Sequence, residues 1–202
     1  MASLTIRDPK KDHLLTPENS VLVMIDYQPV QVSSVASRDR QSLVRNVVSV
    51  AKGAKLFGLP VIISTVNVES GRNKPTIHQL TEIFPEVKPI DRSTINAWED
   101  RAFVEAVKST RRNKIILVAL WTEACMIFPT LDALKEGFEV YPVVDAIGGT
   151  SLEAHNTALK LAQQAGAKPI SWVQLLCELQ RDWNRTKTAV EFGKILFSVE
   201  GL

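Results

Sequence analysis

Cysteine is scarce in this chain: Cys125 and Cys177 are the only two in 202 residues. That is too few for a disulfide-stapled scaffold. The opening stretch MASLTIRDPKKDHLL also lacks the apolar core of a secretory signal. The expectation is therefore a cytoplasmic protein with two free thiols. Charge of one sign is missing as well, since 24 Lys and Arg against 22 Asp and Glu leave a net charge of +2. Nothing in that balance points to nucleic acid or a lipid surface as partner. The longest apolar run, IILVALW (115–121), is far shorter than the roughly 20 residues that span a bilayer. Histidine is rare too, and His13, His78 and His155 have no ligand spacing between them. The prediction is a site without metal or other cofactor. No repeat, low-complexity stretch or linker divides the chain, so residues 1–202 read as one domain, with arms at 1–17 and 184–202.

What is present is an ordinary globular composition, 45% hydrophobic and 23% charged. Five short aliphatic runs stand out: VLVMI (21–25), VIISTV (61–66), KIILVAL (114–120), FEVYPVV (138–144) and AKPIS (167–171). They are rich in β-branched residues and nearly continuously apolar, as strands covered on both faces are. Helical patterns lie between them, at 41–58, 99–112, 130–137 and 152–167, the first stopped by Gly58-Leu59-Pro60. Strand and helix alternate, which predicts an α/β fold: a three-layer, Rossmann-like arrangement with a mostly parallel sheet flanked by helices. Such sheets bind ligands outside the carboxyl ends of their strands. Asp26 closes the first run, Cys125 follows the third and Asp145 closes the fourth.

Cys125 sits in LVALWTEACMIFPT (117–130), only a few residues past a buried run and just after the polar pair Thr122-Glu123. With Thr122 as N-cap, the thiol falls near the third position of a helix, among free backbone N–H groups. Such a position is expected to lower its pKa and favour the thiolate. The rival reading is a small buried hydrophobe. Pro129, four residues on, cannot donate to the Cys125 carbonyl, so the turn beside the thiol should be loosened.

The segments VLVMIDYQ (21–28), RSTINAW (92–98) and ALWTEACMIFPTLDALKEGFEVYPVVDA (119–146), with ELQRDW (178–183), resemble the isochorismatase-like cysteine hydrolases, in particular their YcaC-like branch. The resemblance spans roughly residues 18–183. It implies a Rossmann-like sheet, a homo-oligomer of four or more subunits (an octamer among the options), and hydrolysis of carbon–nitrogen bonds in small-molecule amides. It also implies a catalytic set of Asp26 as base, Cys125 as nucleophile and a basic group at position 92. The family's usual lysine is Arg92 here, an electrostatic group with no proton to exchange. The Trp121 and Cys125 amides would form the oxyanion hole, with a cis peptide between Leu120 and Trp121. Gln28, Asn67, Trp98, Trp121 and Phe128 are candidates for the pocket, although large aromatics equally serve as core or interface. Asp145 reads as a cap for the next helix and Cys177 as inert core. Relatives that bind a metal carry an Asp-x-His set after the second strand. This chain has TVNVES (65–70) there. Two other functions fit the same pattern: a hydrolase of a non-amide bond such as a vinyl ether, and a non-catalytic member that binds ligands.

Overall fold

The computed structural model describes residues 7–197. Among these residues there are five strands: β1 (Ser20–Ile25), β2 (Val61–Val66), β3 (Ile90–Arg92), β4 (Lys114–Ala119) and β5 (Glu139–Pro142). All pairings are parallel, in the order β3-β2-β1-β4-β5. Every residue of β1 and β4 is buried, which explains why these strands are apolar without alternation. In register, Ile25 lies beside Ser64 of β2 and beside Ala119 of β4. Residues just past those positions therefore converge on the carboxyl edge of the sheet.

Among the described residues eight α-helices complete the fold: α1 (Pro29–Ser33), α2 (Arg40–Phe57), α3 (His78–Thr81), α4 (Arg101–Ser109), α5 (Ile127–Lys135), α6 (Leu152–Gln164), α7 (Trp172–Gln180) and α8 (Ala189–Phe197). Their starts are capped as the sequence allows. Asp39, Asp100, Ser151 and Ser171 each accept a backbone N–H of the first turn of α2, α4, α6 and α7. Gly58 closes α2 at φ 70°. The β1-to-β2 and β4-to-β5 crossovers run in opposite directions across the sheet. Right-handed crossovers then put α2 and α5 on opposite faces. α2, α7 and α8 pack on one another, while α5 packs on α6 and on the 3-10 turn Ala97–Glu99 that leads into α4. Buried apolar side chains from both layers join in one core. Among the described residues no helix is long and apolar enough to cross a membrane.

Several expectations are corrected. The run at 167–171 is not a strand: Ile170 makes an isolated bridge to Val143, and Pro169 has no N–H with which to extend it. β3 had no signal, being three residues long. Cys177 is exposed, not core. α7 buries Trp172, Leu175, Leu176 and Leu179, so a cysteine between leucines in sequence falls on the opposite side of the helix. Asp145 accepts from the Trp172 N–H at the start of α7, whereas the next helix, α6, is capped by Ser151. The C-terminal arm folds back as α8, burying Phe192 and Ile195 against its own chain. Val199, which the arm also includes, lies outside the described residues, as do residues 1–6 at the N-terminus.

Candidate active site

Asp26 follows β1 directly, in a left-handed conformation at φ 60°. A residue with a Cβ adopts this only where its surroundings hold it. Here its N–H donates to the Ser64 carbonyl and its own carbonyl accepts from the Gln28 N–H. Arg92, the last residue of β3, directs Nη2 to Asp26 Oδ2 at 2.8 Å, and both side chains are completely buried. The same Nη2 reaches the Ile95 carbonyl at 3.4 Å.

Cys125 approaches from the other side of β1, on the turn that follows β4. That turn is not the start of an ordinary α-helix. Thr122–Met126 is a single π-helical turn, closed by the Ile127 N–H donating to the Thr122 carbonyl five residues back. The residue before the turn, Trp121, offers no side-chain cap, and the Thr122 hydroxyl bonds to His155 instead of capping. Pro129 withholds the N–H that would bond the Cys125 carbonyl, and the Thr130 hydroxyl takes the Met126 carbonyl at 2.7 Å. Wide turns of this kind recur at functional sites. The Leu120–Trp121 peptide bond is cis, and the Trp121 N–H faces the Cys125 sulfur.

The thiol keeps only 8% of its residue exposed. Its pKa is pushed up to about 12, first by burial and then by the Asp26 charge, against smaller opposing effects of Arg92 and the Trp121 amide. This overturns the expected thiolate. A helix start stabilises an anion by about 1 kcal/mol, which burial beside a carboxylate outweighs. Burial also raises the Asp26 carboxyl, with Arg92 and the thiol opposing. Asp26 Oδ1 is buried without a hydrogen-bond partner, and the Cys125 thiol lies near enough to the carboxyl group to act on its charge. The resting arrangement is thus a protonated thiol beside a carboxylate that is itself paired with a guanidinium.

The other predicted residues are dispersed. Gln28 is wholly committed to the backbone, donating to the Val66 and Lys74 carbonyls and accepting from the Val66 N–H. It braces the loop after β2. Asn67 holds φ 61° in that loop, its N–H on the Arg92 carbonyl. The Trp121 indole N–H donates to Ser34 Oγ at 2.8 Å, fixing α1 over the cis peptide. Trp98 donates to Glu136 and stacks edge-on against Phe103 and Phe138, so it belongs to helix packing. Phe128 lies three residues after Cys125 and is 42% exposed. Asp91, which no sequence signal marked, accepts from Thr65 Oγ1 and the Val68 and Glu69 N–H groups and so shapes the loop beside Arg92. A cavity of about 830 Å³ lies elsewhere, lined by Asp12, Leu14, Glu178 and Arg181. Lys114 at the start of β4 donates to the Leu14 carbonyl, so this cavity adjoins the edge of the sheet opposite the thiol. Among the described residues no group of three or more His, Cys, Asp or Glu could hold a metal ion.

Asp26, Arg92 and Cys125 thus meet at the carboxyl edge of a parallel α/β sheet. The Isochorismatase domain model matches residues 20–174, and the chain belongs to that family of hydrolases. It is 36% identical to the probable hydrolase YcaC of Escherichia coli over 170 residues, covering 84% of this chain and 81% of the relative. A structure of YcaC from Pseudomonas aeruginosa with hexane-2,5-diol and covalent acrylamide superimposes with a TM-score of 0.86 at 35% identity, covering 96% of this chain and 92% of that one. The Escherichia coli YcaC structure, described as an octameric hydrolase of unknown specificity, gives 0.82 at 31% identity, covering 95% and 98%.

Proposed function

We propose that this chain is a cytoplasmic, single-domain, metal-independent cysteine hydrolase that cleaves the C–N bond of a small amide through a thioester on Cys125. The observation that carries this reading is the Asp26 carboxylate, buried between the Arg92 guanidinium and the Cys125 thiol. A thiol raised to about 12 is inert until its proton has somewhere to go. Asp26, itself raised, is matched to take that proton as sulfur attacks the carbonyl carbon. Charge on the carbonyl oxygen is met by the backbone N–H groups of Trp121 and Cys125. Asp26 then passes the proton to the departing amine. A water molecule loses a proton to Asp26 and adds to the thioester, and the proton returns to sulfur as the acid leaves.

Arg92 touches neither sulfur nor substrate in this scheme; it keeps Asp26 ionised in a buried setting. The covalent acrylamide of the Pseudomonas aeruginosa relative, itself an amide, is in keeping with an amide-sized opening before a reactive group. The octameric Escherichia coli relative favours a homo-oligomer of four or more subunits. Ammonia release from a panel of small amides, compared between the parent and Cys125→Ala, tests the reading. Release that depends on Cys125, with an acyl adduct by intact mass, supports it, and equal rates in the two proteins would sink it.

A further inference from the structure

The turn that carries Trp121 and Cys125 is held from behind by a buried polar cluster that the chemistry above does not use. The Thr122 N–H donates to the Gly148 carbonyl, and its hydroxyl lies 2.8 Å from His155 Nδ1. His155, on the first turn of α6, is 4% exposed. Its other nitrogen, Nε2, faces Arg38 Nη2 at 3.4 Å, and that same guanidinium nitrogen donates to the Val144 carbonyl at 2.7 Å. Arginine only donates. Nε2 must therefore accept, which leaves the proton on Nδ1, pointing at Thr122. Glu123 holds the next residue of the turn, accepting from both the N–H and the hydroxyl of Thr150. Packing here leaves no slack: a Cβ on Gly149 would stand 2.4 Å from Glu123 Oε2 and 3.2 Å from the His155 backbone nitrogen. The polar Thr122-Glu123 pair before the cysteine thus serves to anchor the turn to residues 148–155.

We propose that His155, clamped between Arg38 and Thr122, is a positioning residue that fixes the Trp121–Cys125 turn so that its amides meet the developing oxyanion. The proposal rests on the hydrolase reading and deepens it. His155 stays neutral in this role: burial and the neighbouring Arg38 lower its pKa, with Glu123 opposing. A displacement of about 1 Å at such a turn costs on the order of 100-fold in rate, without any change in the reacting groups themselves.

The test compares two reactions of Cys125 in a Cys177→Ser background. Acylation by p-nitrophenyl acetate develops charge on a carbonyl oxygen and needs the oxyanion donors. Alkylation by iodoacetamide sends its charge away with iodide and does not. His155→Leu is expected to slow acylation by about 100-fold. Alkylation should stay within about two-fold, because burial and Asp26, the dominant causes of the raised thiol pKa, are unchanged and the Trp121 amide adds only a small opposing effect. His155→Asn, whose amide N–H stands where Nδ1–H does, should recover most of the acylation rate. Should His155→Leu fail to fold, Thr122→Val breaks the same bond from the other end and must give the same split. Equal slowing of both reactions, or of neither, would overturn the proposal. If the parent shows no Cys125-dependent acylation at all, it is the hydrolase reading that fails. Nitrogen NMR of the His155 ring then still decides the clamp: protonated Nδ1 supports it, and protonated Nε2 overturns it.

Discussion

Arg92 Nη2 stands 2.8 Å from Asp26 Oδ2, and neither side chain reaches solvent. The pair is expensive to bury, and Arg92 Nε and Nη1 lack any hydrogen-bond partner among the described residues. Stability alone does not account for it, since apolar residues of similar volume commonly do as well or better in such places. In the proposed mechanism its use is chemical: a carboxylate kept charged within reach of a thiol.

Removing one partner should therefore be worse than replacing both. Arg92→Met is expected to cost about 3–5 kcal/mol of folding free energy, because Asp26 is left buried and unpaired. Arg92→Lys, which keeps the charge, should recover most of that loss. Urea melts of the three proteins check this, and a methionine variant within about 1 kcal/mol of the parent would contradict it.

The same pair sets the pH dependence. Asp26 must be ionised to accept the thiol proton, and burial raises its pKa above the ordinary value of 3.8. Activity on any hydrolysed substrate should fall as pH drops through that raised value. The stability linkage runs the other way. A carboxyl with a raised folded-state pKa contributes stability that is fully present below 3.8 and is lost as pH rises through the folded value. A kcat/KM profile that stays flat through the acid range would refute Asp26 as base.

The thiol should be sluggish toward reagents that do not engage the site. Cys125 is buried with its pKa pushed up to about 12, while Cys177 is exposed. Iodoacetamide at pH 7 is expected to label Cys177 first, with Cys125 accelerating as pH rises. Peptide mass mapping over time reads this directly, and rapid labelling of Cys125 at neutral pH would mean the thiolate rests in the free enzyme after all.

Much of this was legible in the chain, for identifiable reasons. β1 and β4 announce themselves because strands buried on both faces are continuously apolar, and Asp26 and Cys125 stand out as reactive residues soon after such runs. β3 was hidden because three residues show no period; Arg92 was singled out by resemblance, not by its strand. The thiol pKa could not be read from position along the helix. It depends on burial and on Asp26, which the fold brings in from the neighbouring strand. His155 was passed over for lack of metal spacing, since its partners Arg38 and Thr122 lie 117 and 33 residues away in the chain.

Gly53 marks a close approach of α2 to α7. A Cβ there would stand 2.1 Å from Leu176 Cδ2, and Leu176 is fully buried with little room to turn aside. Gly53→Ala should destabilise by about 1–3 kcal/mol through overpacking, although alanine is ordinarily the better helix former. An unchanged or raised melting temperature would show that the two helices separate freely.

The C-terminal helix separates two roles onto two faces. Phe192 is 1% exposed and meets Trp183 edge-on at 5.2 Å, so α8 is fastened to its own chain. Phe192→Ala should cost about 3–5 kcal/mol by leaving a cavity. The outward residues differ: Val190 is 67% exposed and Phe197, two turns further along the same side of the helix, 63%. If this face joins copies of the chain, Val190→Lys with Phe197→Lys should lower the assembly mass without weakening the isolated fold, because neither side chain is buried at home. Light scattering on the parent, the double lysine variant and Phe192→Ala distinguishes the two. A parent that is monomeric, or a lysine variant that keeps the parent's mass, would remove this face from the assembly. A lysine variant that loses stability at unchanged mass would mean that Val190 and Phe197 pack within their own chain instead.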